Sequence, residues 1–320
     1  MQGYKRDAAV FEKAPRGVSG GFCVCYNGAG GYNMSKAETS KDAKGYAVKL
    51  DTEQKITLSG YAPDDSGGKG VSKDASEAAL ADLGKELSSL QEWMYAAQTH
   101  SVLIVLQGLD TSGKDGTISH VMAAMNPQGC AVASFKVPTP DEAGHDFLWR
   151  IHKQTPPKGM MTIFNRSHYE DVLVTRVHKL VPGDVVQTRY SQIRDFEKLL
   201  TDENTIVLKF FLHLSKDEQK SRLLAREQDP EKAWKLSAAD WKERGFWDDY
   251  AKAYEDALGA TAAPHAPWYV VPADHKWFRN LAVATVLVET LRPYKAGWQK
   301  SLEALGEQRK AELAAMRKDQ

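Results

Sequence analysis

The chain has 320 residues, 42% of them hydrophobic, and its 42 Lys and Arg balance its 42 Asp and Glu. That apolar content supports one large core, and the zero net charge excludes the global basic field that marks nucleic-acid or membrane-surface binders. Three cysteines, Cys23, Cys25 and Cys130, are too few for a disulfide framework or a zinc site. No apolar run reaches membrane-spanning length and no signal-peptide core opens the chain, so a soluble cytoplasmic protein is the expectation.

Seven of the 24 glycines fall in the stretch from Gly17 to Gly45, and residues 1–45 show no periodicity. They are expected to form a disordered extension. Weak alternation runs from Val48 to Leu58, and Asp64-Asp65-Ser66-Gly67-Gly68 marks a loop. Ala79, Leu80, Leu83, Leu87, Leu90 and Met94 recur at helical steps, so the spacing predicts an amphipathic helix over 76–98. Val102–Leu106 is a continuous apolar run and reads as a fully buried strand.

That strand feeds Gln107-Gly108-Leu109-Asp110-Thr111-Ser112-Gly113-Lys114-Asp115-Gly116, and helical spacing follows over 117–125. Strand, glycine loop and helix are the context of a phosphate-binding loop. Gly108 and Gly113 let backbone N–H groups approach phosphate oxygens, and Lys114 reaches the outer phosphates as a point charge. Asp115 stands where such loops usually carry Ser or Thr. Asp110 also lies inside the loop, where polyanionic phosphate would repel it unless a divalent cation intervened. Asp110 is therefore read as a magnesium-binding or catalytic residue.

Further strands are expected at 131–135, 160–164, 205–212 and 268–271. Helices are expected at 141–154, 170–177, 187–200, 216–227, 241–258 and 277–291, with a charged helical tail over 301–320. Five strands alternating with helices predict a parallel sheet with helices on both faces. Ligands of such sheets bind beyond the carboxyl ends of the strands. The residues there are Asp110, Lys136, Asn165, Arg166, His213, Pro272 and Asp274.

Asn165 can offer a metal its amide oxygen but no charge, which places more of the electrostatic role on Asp110. Arg166 can clamp phosphate oxygens bidentately; a surface ion pair is the bland alternative. Arg222 and Arg226 share a helix face just before a loop that continues Asp229-Pro230-Glu231-Lys232-Ala233-Trp234-Lys235, the arrangement of a lid closing over phosphates; simple solvation of that face competes with this reading. His168, His178, His213 and His265 show no metal spacing. Trp234, Trp241, Trp247 and Trp277 could stack a base, but at helical spacing they fit core positions better.

Taken together, these residues resemble the polyphosphate kinase 2 family. The motifs that carry the resemblance are Gly108 to Gly116, Ser134-Phe135-Lys136 with Pro138-Thr139, His145-Asp146-Phe147-Leu148-Trp149-Arg150, and Phe164-Asn165-Arg166-Ser167-His168-Tyr169-Glu170-Asp171-Val172. They continue with Phe211 to Lys216, Asp229-Pro230 with Trp234-Lys235, and Ala266 to Asp274.

The resemblance implies a thymidylate-kinase-like α/β fold with a helical lid. It implies magnesium-dependent, direct in-line transfer of a phosphoryl group between inorganic polyphosphate and nucleotides, adenine first and guanine as a further option. Asp110, Lys114 and Arg166 are the implied catalytic residues. Gly108, Gly113, Lys114, Asp115, Gly116, Lys136, Arg222 and Arg226 are the implied phosphate contacts. Asp146, Arg150 and Asn165 are the implied nucleotide contacts, and Asp110 with Asn165 the implied Mg2+ ligands. The Phe-Asn-Arg-Ser-His-Tyr form is similar to members that accept both AMP and ADP. Many relatives are homotetramers, so a homo-oligomer is implied, with neither nucleic acid nor membrane as partner. The expected organisation is an extension over 1–45, the kinase domain over 46–295 with its lid at about 222–245, and a charged C-terminal helix over 296–320. A conventional ATP-dependent nucleoside monophosphate kinase and a non-catalytic polyphosphate-binding protein are the competing readings.

Overall fold

The computed structural model describes residues 40–41, 45–68, 71–231 and 237–318. These lie in one of the two units into which the chain divides, Glu38–Gln320. Most of the expected N-terminal extension, Cys23, Cys25 and Lys232-Ala233-Trp234-Lys235 fall outside the described residues.

In chain order, β1 (Ser40–Lys41) and β2 (Val48–Leu50) precede the long α1 (Lys73–Ala97), β3 (Ser101–Gln107) and α2 (Lys114–Val121). Then come β4 (Cys130–Ser134), α3 (Pro140–Ala143), α4 (Trp149–His152), β5 (Met161–Asn165), α5 (Glu170–Val177) and α6 (Gly183–Asp202). The remainder is β6 (Thr205–His213), α7 (Lys216–Glu227), α8 (Ala238–Arg244), α9 (Trp247–Thr261), β7 (Trp268–Pro272), α10 (Lys276–Leu291) and α11 (Lys295–Lys318).

The sheet runs β1-β2-β7-β6-β3-β5-β4. β7, β6, β3, β5 and β4 are mutually parallel, as the alternation of strands and helices predicts. β3 lies between two parallel neighbours and is buried at every position, which is why it shows no polar alternation. β4 is the edge strand, and Val132 on it is half exposed. Two short antiparallel strands extend the far edge, with β2 on β7 and β1 on β2. Three and two residues are too few to show a strand period, so only weak alternation near Val48 is visible in sequence.

Two helical layers bury the two faces. α1, α2 and α10 pack on one, around Leu87, Leu90, Met94, Phe278 and Val286, with Trp298 of α11 closing the end. α5, α6 and α9 pack on the other, around Val172, Ile193, Tyr254 and Leu258. α1 is set by its ends: Ser72 Oγ accepts from Ala75 N, and Gln98 stops the helix in a left-handed conformation. α10 is buried continuously from Phe278 to Val288, because it is covered both by the sheet and by α1.

Two helices differ from expectation. The single helix expected over 141–154 is two one-turn helices, α3 and α4, separated by Gly144 to Leu148. Glu142 closes a capping box on Thr139, and the Asp146 carboxylate accepts from Leu148 N, so the intervening segment satisfies its backbone without helix. The helix expected over 241–258 is likewise broken at Gly245-Phe246 into α8 and α9.

Candidate active site

The loop between β3 and α2 is shaped by its glycines. Gly108 has φ +153°, and a Cβ there would come within 2.7 Å of Ser112 Oγ and 2.9 Å of the Leu212 carbonyl. Gly113 has φ +99° and leads directly into α2, and a Cβ there would collide with the Arg279 guanidinium. Lys114 is the first residue of α2 and only 9% exposed. Its Nζ donates to the carbonyls of Gly108 at 2.7 Å and Leu109 at 3.3 Å, so the ammonium is folded back over its own loop. Burial lowers its pKa, and the carboxylate of Asp110 acts against that. An anion over this loop would meet the α2 N-terminus and the Lys114 charge together.

Arginines hold the loop from below. Arg222, on α7, donates from Nη1 to the carbonyls of Thr111 at 3.0 Å and Ser112 at 3.4 Å. Its Nη2 donates to Ala273 and Asp274 carbonyls, each at 2.7 Å, and its Nε to Glu218 at 2.7 Å. Every nitrogen of this guanidinium is engaged with backbone or Glu218, so in this conformation Arg222 braces the loop and does not face the phosphate side. Arg279, on α10, donates from Nη1 to the Ser112 carbonyl at 3.1 Å. No motif in the sequence singled out Arg279.

Opposite the loop, β5 ends in Asn165 and Arg166. Arg166 adopts φ +63°, a left-handed conformation uncommon for a residue with a side chain. That turn brings its Nη2 to 2.8 Å from Asp110 Oδ1, with Glu170 at 3.7 Å from Nη1. Burial would lower the guanidinium pKa, but Glu170 and Asp110 outweigh it and the net shift is upward. Glu170 is itself pushed up by burial, partly offset by Arg166 and Lys114, and with its amide turned about Gln107 would donate to it at 3.1 Å. Asn165 donates from Nδ2 to Asp115 Oδ1 at 2.8 Å, which leaves its oxygen as the atom able to coordinate a metal.

Behind the turn lies a fully buried polar cluster that sequence reasoning missed. Glu197 of α6 accepts from Lys209 Nζ at 2.6 Å and from Tyr169 OH at 2.9 Å, and lies 3.2 Å from His168 Nε2. Lys209 also donates to the Thr261 carbonyl at 2.8 Å. His168 and Tyr169 follow Arg166 by two and three residues, so their anchoring on Glu197 fixes the turn that aims Arg166. A Lys inside the apolar run of β6 was the available signal, since a buried Lys requires a partner.

The two arginines expected to belong to a lid separate. Arg226, one turn beyond Arg222, forms a 3.1 Å ion pair with Asp240 of α8. Asp240 has its pKa raised by burial and by the field of Asp110, while Arg226 acts in the opposite direction. α8 therefore carries a carboxylate towards the loop, and Arg226 is held beside it.

On the β4 side, Lys136 is exposed, and its carbonyl accepts from Arg150 Nη1 at 2.8 Å. Arg150 is buried over the Phe135 ring, with Asp171 at 3.8 Å and Glu142 at 3.7 Å. Asp146 is exposed and caps the turn at Leu148. The structure thus gathers Asp110, Lys114, Asp115, Asn165 and Arg166 around one loop. Lys136, Asp146 and Arg150 lie along the neighbouring strand end.

Comparison with known proteins bears on this site. The family described as Polyphosphate kinase 2 (PPK2) matches residues 70–297. An AMP/ADP-polyphosphate phosphotransferase of Meiothermus ruber is 52% identical over 248 residues, 78% of this chain and 92% of that protein. An ADP-polyphosphate phosphotransferase of Rhodopseudomonas palustris is 45% identical over 245 residues, 73% of this chain and 83% of that protein. The crystal structure of polyphosphate kinase 2 from Arthrobacter aurescens TC1 superimposes with a TM-score of 0.74 at 44% identity, covering 76% of this chain and 88% of that one.

Proposed function

The chain belongs to the polyphosphate kinase 2 family, and from that premise we infer that it is a phosphotransferase moving phosphoryl groups between inorganic polyphosphate and adenine nucleotides. The observation that carries the reading is the meeting of Lys114, Asp110 and Arg166 at one glycine loop. Conventional nucleoside monophosphate kinases share such a loop; the match over residues 70–297 favours polyphosphate as donor.

Transfer of this kind needs positioning and charge neutralisation more than a covalent helper. We propose direct in-line transfer with no phospho-enzyme. The loop amides and Lys114 hold the terminal polyphosphate unit. Arg166 faces the same space and spreads the charge that develops on the transferred group. Asp110 keeps Arg166 in line. Arg226 is the lid cation that closes on the chain.

A divalent cation fits the donors present. Asp110, Asp115 and the Asn165 amide oxygen are hard oxygen ligands, and Mg2+ is commonly held by one or two carboxylates together with substrate phosphates. Among the described residues no group of three or more His, Cys, Asp or Glu makes a complete cage. When bound, Mg2+ would neutralise phosphate oxygens beside Asp110, with Asp110 and Asn165 as its protein ligands.

For the acceptor, Arg150, Asp146 and Lys136 are proposed on the β4 side, with Asn165 at the phosphate end. The dual AMP/ADP relative supports acceptance of both nucleotides, and guanine nucleotides are a further proposed acceptor. Exposed Leu305, Leu313 and Met316 on α11 support a homo-oligomer, a tetramer in our reading. Among the described residues no helix is long and apolar enough to cross a membrane, and we propose that the protein works in the cytoplasm, where nucleotides and polyphosphate meet.

The test offers AMP, ADP, GMP and GDP separately with long-chain polyphosphate and magnesium, following products by chromatography. Conversion of AMP to ADP and onward to ATP is the expected result. ATP from ADP alone would reject the dual-acceptor reading of Asn165.

A further inference from the structure

Arg279 sits 2% exposed beneath the phosphate loop. Its hydrogen bonds go to the Ser112 carbonyl at 3.1 Å and to the side-chain oxygen of its neighbour Asn280 at 2.9 and 3.2 Å. Both acceptors are neutral. Among the described residues it forms no ion pair, and the charged group that acts on it is another cation, Arg222. Burial and that neighbour bring its pKa down to about 10. Arg222, by contrast, has Glu218 as its counter-ion at 2.7 Å.

The loop is built to admit this group. A Cβ at Gly113 would overlap the Arg279 guanidinium, and one at Gly116 would lie 3.2 Å from its Nη2. Both glycines, 163 or more residues away in sequence, thus leave room for a cation under the α2 N-terminus. A buried charge without a counter-ion costs the free protein stability, and apolar side chains of similar volume commonly do better in its place. Arg279 donates to the Ser112 carbonyl, the same carbonyl that Arg222 reaches, so both cations lie against the loop backbone.

We propose that Arg279 is a positioning residue whose missing counter-charge is supplied by the phosphate chain of the substrate, through the loop that separates them. The free protein holds an uncompensated cation under the loop. Binding of a polyanion above the loop compensates it. Part of the affinity for polyphosphate is therefore relief of a charge that destabilises the empty site. The proposal rests on the polyphosphate reading of that site and adds to it a residue that does not touch the substrate.

The test uses the full-length protein, its Arg279→Met and Arg279→Gln variants, and Arg279→Lys, which keeps the charge. Melting temperature is measured with and without long-chain polyphosphate, and KM and kcat are measured with ADP as acceptor. The neutral variants are expected to melt at or above the wild-type temperature when free and to gain less on adding polyphosphate. Their KM for polyphosphate should rise about tenfold, as for loss of one charge partner, while kcat stays within about threefold. Arg279→Lys should keep most of the wild-type KM. A neutral variant that folds with wild-type KM and the full polyphosphate shift would overturn the proposal. So would collapse of both neutral variants without ligand, because that would make Arg279 a structural support of the free fold. If the wild-type protein itself gained no stability from polyphosphate, the substrate reading would fall first and the proposal with it.

Discussion

Arg166 Nη2 and Asp110 Oδ1 meet at 2.8 Å although 56 residues separate them in sequence. The pair joins the end of β5 to the phosphate loop and is made possible by the left-handed backbone at Arg166. A guanidinium so held needs no reorganisation before it meets a transferring phosphoryl group, which is where such groups are most effective. Asp110→Asn keeps the shape but removes the charge that fixes Arg166 and would bind a metal. Its kcat with polyphosphate is predicted to fall about a hundredfold or more, with the melting temperature little changed. Arg166→Lys is predicted to fall comparably, since an ammonium cannot reproduce the planar fork. Near-normal turnover in either variant would contradict the site.

Lys114 is buried with its ammonium on loop carbonyls, and burial lowers its pKa. Lys114→Met removes the charge and keeps most of the volume. Circular dichroism and thermal melting should show a fold within about 3 °C of wild type, while activity falls at least about a hundredfold. A variant that loses activity only because it unfolds would count against a substrate role for the ammonium.

The parallel sheet was legible in the alternation of strands and helices, and the loop residues in a local pattern: an uninterrupted apolar strand, glycines, then a helix start. Asp110 and Arg166 could be chosen from strand ends, and Lys114 from the glycine loop. Arg279 could not, because it acts on a loop 167 residues away, and the Glu197–Lys209 pair showed only as a Lys inside an apolar strand. The split of the two α7 arginines was also hidden. Arg222 and Arg226 share one helix face, and only the position of the Ala273 and Asp274 carbonyls makes one a loop brace while the other pairs with Asp240.

Glu197 gives the fold a pH dependence of definite sign. Burial alone would raise its pKa, but the Lys209 ammonium and the His168 hydrogen bond outweigh it, and the net shift is downward from 4.5. A carboxyl whose folded pKa lies below its unfolded value contributes stability above the unfolded value, and that contribution is lost as pH falls through the folded pKa. Acid unfolding should therefore steepen below about pH 4.5 in the wild-type protein. Glu197→Gln strands a buried ammonium and should cost about 3–5 kcal/mol at pH 7, with a flatter acid profile. Denaturant titrations from pH 3 to pH 7, in that range by design about the ordinary glutamate pKa, check both; an unchanged acid slope would remove Glu197 as the cause.

Arg226 and Asp240 form an ion pair at 3.1 Å. If the phosphate chain takes Arg226 from Asp240, the two substitutions act in opposite directions. Arg226→Ala should raise KM for polyphosphate about tenfold. Asp240→Asn, which removes the competitor, should lower KM or leave it unchanged. Equal losses of activity in both would instead make the pair a fixed strut of the lid.

The donor is the central claim and can be read directly. The purified protein is given AMP or ADP with magnesium and polyphosphate in the complete absence of ATP, and the nucleotides are separated over time. The account predicts ATP from ADP, and ADP from AMP, with the polyphosphate chain shortening in step. No product with polyphosphate, together with ready conversion of AMP to ADP when ATP is the donor, would contradict it.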